Sequence, residues 1–96
     1  EPLYLYGDTK SPVSLTLSDV TASFRKGRED VTFIHAGNYK SITLEDVTVR
    51  NNRAPQLIKS WNAPGRGRVI VRNLSCHLRE DELVSHPEEA FYCQPI

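Results

Sequence analysis

One phrase of this chain is written three times at a fixed interval. It reads SLTLSDVTASF at 14–24, SITLEDVTVRN at 41–51 and RVIVRNLSCHL at 68–78. Leu15, Ile42 and Val69 stand 27 residues apart (42 − 15 and 69 − 42). The same step aligns Leu17, Leu44 and Val71, then Val20, Val47 and Leu74, then Ala22, Val49 and Cys76. An Asx column, Asp19, Asp46 and Asn73, runs between them without a gap. Self-similarity at such a period marks a chain built by stacking one supersecondary unit on the next.

The phrase itself carries two periods of two. Leu15 and Leu17 alternate with Thr16 and Ser18, which describes a strand with one buried face. After the Asx the phase slips by one, so that Val20 and Ala22 become the apolar set. A one-residue slip inside a regular strand would turn every later side chain to the wrong face. The Asx is therefore expected at a corner, its side chain bonding the local backbone, with a second strand leaving in a new direction. A third apolar segment lies between the phrases: PLYLYG at 2–7, DVTFIHAG at 30–37, QLIKSW at 56–61 and ELVSH at 82–86. Turn residues separate these segments at Lys26-Gly27, Gly37-Asn38, Ala54-Pro55 and Ala63-Pro64-Gly65. Each unit reads strand, corner, strand, turn, strand, turn. No stretch of ten residues carries a helical pattern, although HPEEAFY at 86–92 allows one short turn beginning near Pro87.

A chain of 96 residues is expected to form one domain over 1–96, and 39% hydrophobic with 25% charged residues fits a folded core under a polar surface. Twelve basic residues balance twelve acidic ones, so no general attraction to nucleic acid or to a membrane surface is expected. No apolar run reaches the ~18 residues of a membrane span. Cys76 and Cys93 are too few for a disulfide framework and wrongly spaced for zinc, leaving one disulfide or two free thiols. No cofactor or metal is expected: His35, His77 and His86 lack ligand spacing, and no phosphate-binding Gly loop or nucleophile elbow is present.

Three short strands per unit of about 27 residues, with an Asx at one corner, resemble the rungs of the right-handed parallel β-helix. That fold is shared by pectate lyases, polygalacturonases and related polysaccharide-active proteins. The resemblance covers residues 3 to about 86 and implies an all-β chain of three to four rungs, with like aliphatic residues laddered about 4.8 Å apart. An antiparallel β-sandwich is the competing arrangement, but it supplies no reason for matched columns at a constant step. The tail 86–96 departs from the repeat and is expected to cap one end, where Cys93 is within the sequence reach of a tether to Cys76. The opening strand-like segment implies further rungs or a second copy at the N-terminal end, as in the C-terminal piece of a longer solenoid.

The resemblance also points to chemistry. In polygalacturonase-like hydrolases a paired-Asp motif precedes a strand and a small-residue turn, and Glu29-Asp30 occupies the similar position before Phe33-Ile34 and Ala36-Gly37. There one carboxyl protonates the glycosidic oxygen and others activate water, which implies catalytic roles for Glu29 and Asp30. The segment QLIKSWNAPGRGR is similar to the family's Arg-Ile-Lys segment, so Lys59 and Trp61 are the implied substrate contacts. Leu57 stands where that family has Arg, and the Gly-His-Gly motif is absent. Arg53 aligns approximately with Arg25-Lys26 and with His77 and Arg79, forming a basic corner suited to a polyanion; the same residues serve equally as solvated turn cations. The Asx column is read mainly as a structural ladder. The function expected is that of a secreted β-helix domain of a polysaccharide-active protein, part of a glycoside hydrolase acting on acidic polysaccharide. The alternative is a non-catalytic structural, adhesive or carbohydrate-binding module.

Overall fold

The structure, a computed structural model, describes residues 3–62 and 66–85. The expected cap over 86–96, and with it any Cys76–Cys93 link, lies outside the described residues. Seven strands alternate between two sheets. Strands β1 (Leu3–Tyr6), β3 (Ile34–Gly37), β5 (Ile58–Ser60) and β7 (Val84–Ser85) form one sheet in that order. Strands β2 (Val13–Ser23), β4 (Tyr39–Arg50) and β6 (Arg68–Ser75) form the other. Every pairing is parallel, which rules out the antiparallel sandwich for this region. The described residues contain no α-helix, only a single 3-10 turn at Glu80–Glu82.

The 27-residue columns are literal neighbours. Leu15 pairs with Ile42 and Ile42 with Val69; Leu17 pairs with Leu44 and Leu44 with Val71; Val20 pairs with Val47 and Val47 with Leu74. The opposing sheet sends Ile34, Ala36 and Ile58 into the same core. Ile34, Ile42, Leu44, Val47 and Ile58 have no exposed surface. Leu15, Leu17 and Val20 at one end of the stack, and Val69, Val71 and Leu74 at the other, are only partly covered.

The corner differs from the sequence expectation in one respect. Each phrase forms one continuous strand instead of two, with the bend confined to the Asx itself. Asp19, Asp46 and Asn73 take φ of 54°, 52° and 61°, the left-handed region that Asx tolerates better than other side chains. Burial alternates up to Leu17, misses a beat at Ser18 and Asp19, and resumes at Val20. One left-handed residue thus absorbs the phase slip, and the ladder resumes beyond it with Val20 on Val47. The Asn73 amide donates to Asp46 Oδ1 at 2.7 Å, tying two corners together.

The second sheet-to-sheet connection is stitched by side chains. Asn52 Nδ2 donates to the Val31 carbonyl at 2.8 Å, and Gln56 Nε2 to Thr32 Oγ1 at 2.9 Å. Where the chain leaves the first sheet, Asn62 is buried and clasps Tyr39. The Tyr39 N–H donates to Asn62 Oδ1 at 3.1 Å, and Asn62 Nδ2 donates to the Tyr39 carbonyl at 2.9 Å. The Tyr39 hydroxyl closes the clasp on Ser60 Oγ at 3.0 Å.

The left-handed corner makes a test. Both Asp46→Gly and Asp46→Ala lose the Asn73 bond, but Gly relieves the left-handed strain whereas Ala keeps a Cβ in a conformation costing about 1–2 kcal/mol without the Asx side chain that helps to hold it. Urea unfolding should rank parent and Asp46→Gly close together and Asp46→Ala clearly below both. Equal stability of the Gly and Ala variants would contradict the corner geometry.

Candidate functional site

Alternation in β1 puts Leu3 and Leu5 in the columns of buried Ile34 and Ala36, and turns Tyr4 and Tyr6 to the outer face. Register then fixes an outward column of Tyr4, His35, Lys59 and Ser85 across the sheet. Trp61 follows directly after β5, its N–H donating to the Ala36 carbonyl at 2.8 Å, so the ladder carries it beside Gly37.

Four rings meet on this face. Tyr4 lies 6.3 Å from Tyr6 in a stacked arrangement and 5.1 Å from His35. His35 stacks on Trp61 at 5.5 Å with 27° between planes, and Tyr6 lies 6.2 Å from Trp61. Gly37 makes room for them: a Cβ there would stand 3.0 Å from the Tyr6 ring and 3.5 Å from the Trp61 Cβ. Tyr4 and Tyr6 remain 66% and 54% exposed although the core lies on the opposite face of their strand. A contiguous exposed aromatic surface of this kind marks a binding face more often than a solvated one. Its rings offer negative π-faces to weakly positive C–H groups, with Tyr hydroxyls and Lys59 at hand for hydrogen bonds.

The charge state of the face follows from its packing. Burial, and then the Lys59 ammonium, disfavour the imidazolium of His35 and hold its pKa below the ordinary His value. Partial burial, and secondarily Tyr4, raise the Tyr6 phenol above its usual range. Lys59 thus brings an ammonium to a face otherwise made of aromatic rings.

Glu29 and Arg53 come together elsewhere, at the corner where the chain enters the first sheet. The Arg53 N–H donates to the Glu29 carbonyl, and the two side chains line a hollow of about 360 Å³ with Phe24 and Lys26. Backbone N–H groups, its own first and that of Arg28 at 3.0 Å, hold the Glu29 carboxyl below its ordinary range, with Arg53 adding to the effect. That environment suits an anion, a base or a ligand to a cation, and opposes service as a proton donor. Asp30 is exposed beside it. Lys59 lies within β5 and Trp61 just after it, whereas Glu29 and Arg53, which share a hollow, precede β3 and β5. Among the described residues no hydrogen bond, ion pair or ring contact joins the two groups. Of the expected basic corner, Lys26 and Arg53 line this same hollow, and His77 Nε2 bonds the carbonyl of the neighbouring Ala54 at 2.6 Å, while Arg79 pairs with Asp81 and Glu82 at 3.7 and 3.5 Å.

Sequence reasoning missed Tyr4, Tyr6 and His35 as site residues. The signal was present in the outward alternation of LYLY, but the step from Leu3 to Ile34 is 31 and from Ile34 to Ile58 is 24, so no constant period links these positions. Comparison with models of protein families, with curated proteins and with solved structures found no match. Among the described residues no group of three His, Cys, Asp or Glu could hold a metal ion, and no helix is long and apolar enough to cross a membrane.

The His35 environment sets a pH test. Its ring should titrate below 6.5, and Lys59→Met should raise that midpoint partway, because burial, the larger cause, remains. NMR of the imidazole carbons reads both. A midpoint at or above 6.5 in the parent protein would show that the ring is not packed as described.

Proposed function

We propose that this chain is a right-handed parallel β-helix domain of a secreted, polysaccharide-associated protein, related in design to the pectin-lyase-like proteins, and that it binds saccharide on the outer face of its first sheet. The β-helix reading is supported by strict alternation between two all-parallel sheets and by like-on-like columns. A left-handed Asx at each corner of the second sheet adds to that support. The half-covered residues of β2 fit a stack continued at that end by a further rung or a second copy.

The observation that carries the binding reading is the contiguous surface of Tyr4, Tyr6, His35 and Trp61 beside Lys59. A pyranose ring has one face of C–H groups and a rim of hydroxyls. The face stacks on aromatic rings, and the rim requires donors and acceptors at their edge. Four rings across three strands are long enough for more than one sugar, which suits a polymer. Glycoside hydrolysis of the polygalacturonase type is the competing reading. It assigns Glu29, held as an anion, to water activation and leaves Asp30 as proton donor. Its difficulty is that no hydrogen bond, ion pair or ring contact among the described residues links Glu29 or Asp30 to Lys59 and Trp61, the contacts expected to hold the sugar.

A glycan array followed by calorimetry separates the two. Trp61→Ala should weaken binding of the selected glycan at least tenfold, about 1.4 kcal/mol, with the far-UV spectrum retained. Asp30→Asn should bind as the parent does, and the parent should release no reducing ends. Unchanged affinity in Trp61→Ala, or cleavage abolished by Asp30→Asn, would overturn the binding-module reading.

A further inference from the structure

Residues next to the aromatic face in the chain border a second feature. Tyr6-Gly7 leads to Asp8, Gly37-Asn38 leads to Tyr39-Lys40, and Trp61-Asn62 leads on to Arg66-Gly67-Arg68. Asp8, Tyr39, Lys40, Asn62, Arg66 and Arg68 are among the residues that line an open groove of about 550 Å³ at the corner between the two sheets. Its floor is the Tyr39–Asn62 clasp, a fixed structure with buried donors and acceptors paired. Gly67, at φ +80°, passes so close to this floor that a Cβ would overlap the Asn62 amide and the Tyr39 ring.

Its walls are cationic in a chain whose net charge is zero. Lys40, Arg66 and Arg68 line the groove, against one carboxyl, Asp8. The acid is already engaged: Asp8 Oδ1 accepts the N–H groups of Lys10 at 2.8 Å and Ser11 at 2.6 Å. The ion pairs of the described residues lie elsewhere, on Arg72 and Arg79, and none involves Lys40, Arg66 or Arg68. Lys40 owes its place to an irregularity. The register slips by one between Val13–Tyr39 and Ser14–Ser41, leaving Lys40 without a partner on β2. Such bulges recur where a strand re-aims a side chain.

We infer that this groove binds a tetrahedral oxyanion, a sulfate or phosphate ester carried on the saccharide that lies across the adjoining aromatic face. One guanidinium fork satisfies a planar carboxylate. The guanidinium groups of Arg66 and Arg68 and the ammonium of Lys40 supply more charge and more donor directions than that, and match an oxyanion with three free oxygens. The saccharide part of the inference rests on the reading of the aromatic face; the anion part stands on the groove alone.

Two measurements keep those parts distinguishable. In the first, inorganic sulfate and inorganic phosphate are titrated separately into labelled protein. Amide shifts should concentrate at 38–40 and 66–68 and vanish in the triple variant Lys40→Ala/Arg66→Ala/Arg68→Ala. In the second, dextran, dextran sulfate and dextran phosphate of equal length are compared by calorimetry, which also separates the two esters. The parent should bind one charged polymer at least tenfold more tightly than dextran, with an advantage that fades as salt rises. The triple variant should lose that advantage, while Trp61→Ala weakens all three polymers. Localised anion shifts with no polymer binding would support the groove and sink the saccharide reading. Absence of those shifts, or a triple variant that retains the preference for charged polymer, would overturn the inference.

Discussion

Everything in this structure depends on parallel pairing between copies of one phrase set 27 residues apart. Parallel strands in register place each inward side chain on its counterpart, so an aliphatic residue needs an aliphatic one above and below it. Leu17, Leu44 and Val71 meet that demand, as do Val20, Val47 and Leu74. The step survives the bend only because one Asx per strand adopts a left-handed conformation and shifts the phase by a single residue. Without that residue, half of each strand would turn its apolar side chains to water. The central unit is the most deeply covered because it has a neighbour on both sides.

Site geometry is a by-product of the same register. A stacked chain must leave one sheet and enter the other at the same height in every unit, so the residues just before and after each exit also stack. Tyr6, Gly37 and Trp61 share one such level, and Asp8, Lys40 and Arg68 surround the next opening. Two glycines give up side chains where their neighbours need the room. Gly37 lies beneath the Tyr6 ring, and Gly67 lies against the Tyr39–Asn62 clasp. The aromatic face and the cationic groove are thus adjacent along the chain, Tyr6 two residues before Asp8 and Trp61 next to Asn62.

Much of the second sheet was legible in the amino-acid order. The apolar columns, their step, the parallel arrangement and the corner at Asp19, Asp46 and Asn73 all follow from periodicity and Asx chemistry. The bend was read as a break between two strands, because pattern alone does not show that one left-handed residue suffices. The first sheet was harder. Its strands are four residues or fewer, and turns of unequal length shift their spacing away from 27. Family resemblance points to Lys59 and Trp61 but not to Tyr4, Tyr6 and His35, since only the register of short strands places those alongside. The separation of Glu29 and Asp30 from Lys59 and Trp61 was equally hidden. Glu29 and Asp30 precede β3 while Lys59 lies in β5 and Trp61 follows it, and sequence alone does not fix how such short strands pair. The bulge at Lys40 leaves no mark in composition or period.

The account is tested most directly by methyl-to-methyl nuclear Overhauser contacts in protein labelled at Leu and Val. It predicts cross-peaks from Leu17 to Leu44 and from Leu44 to Val71, with matching contacts along Val20, Val47 and Leu74. Missing cross-peaks between those residues, or the close Hα–Hα contacts of antiparallel strands between 14–23 and 41–50, would contradict it.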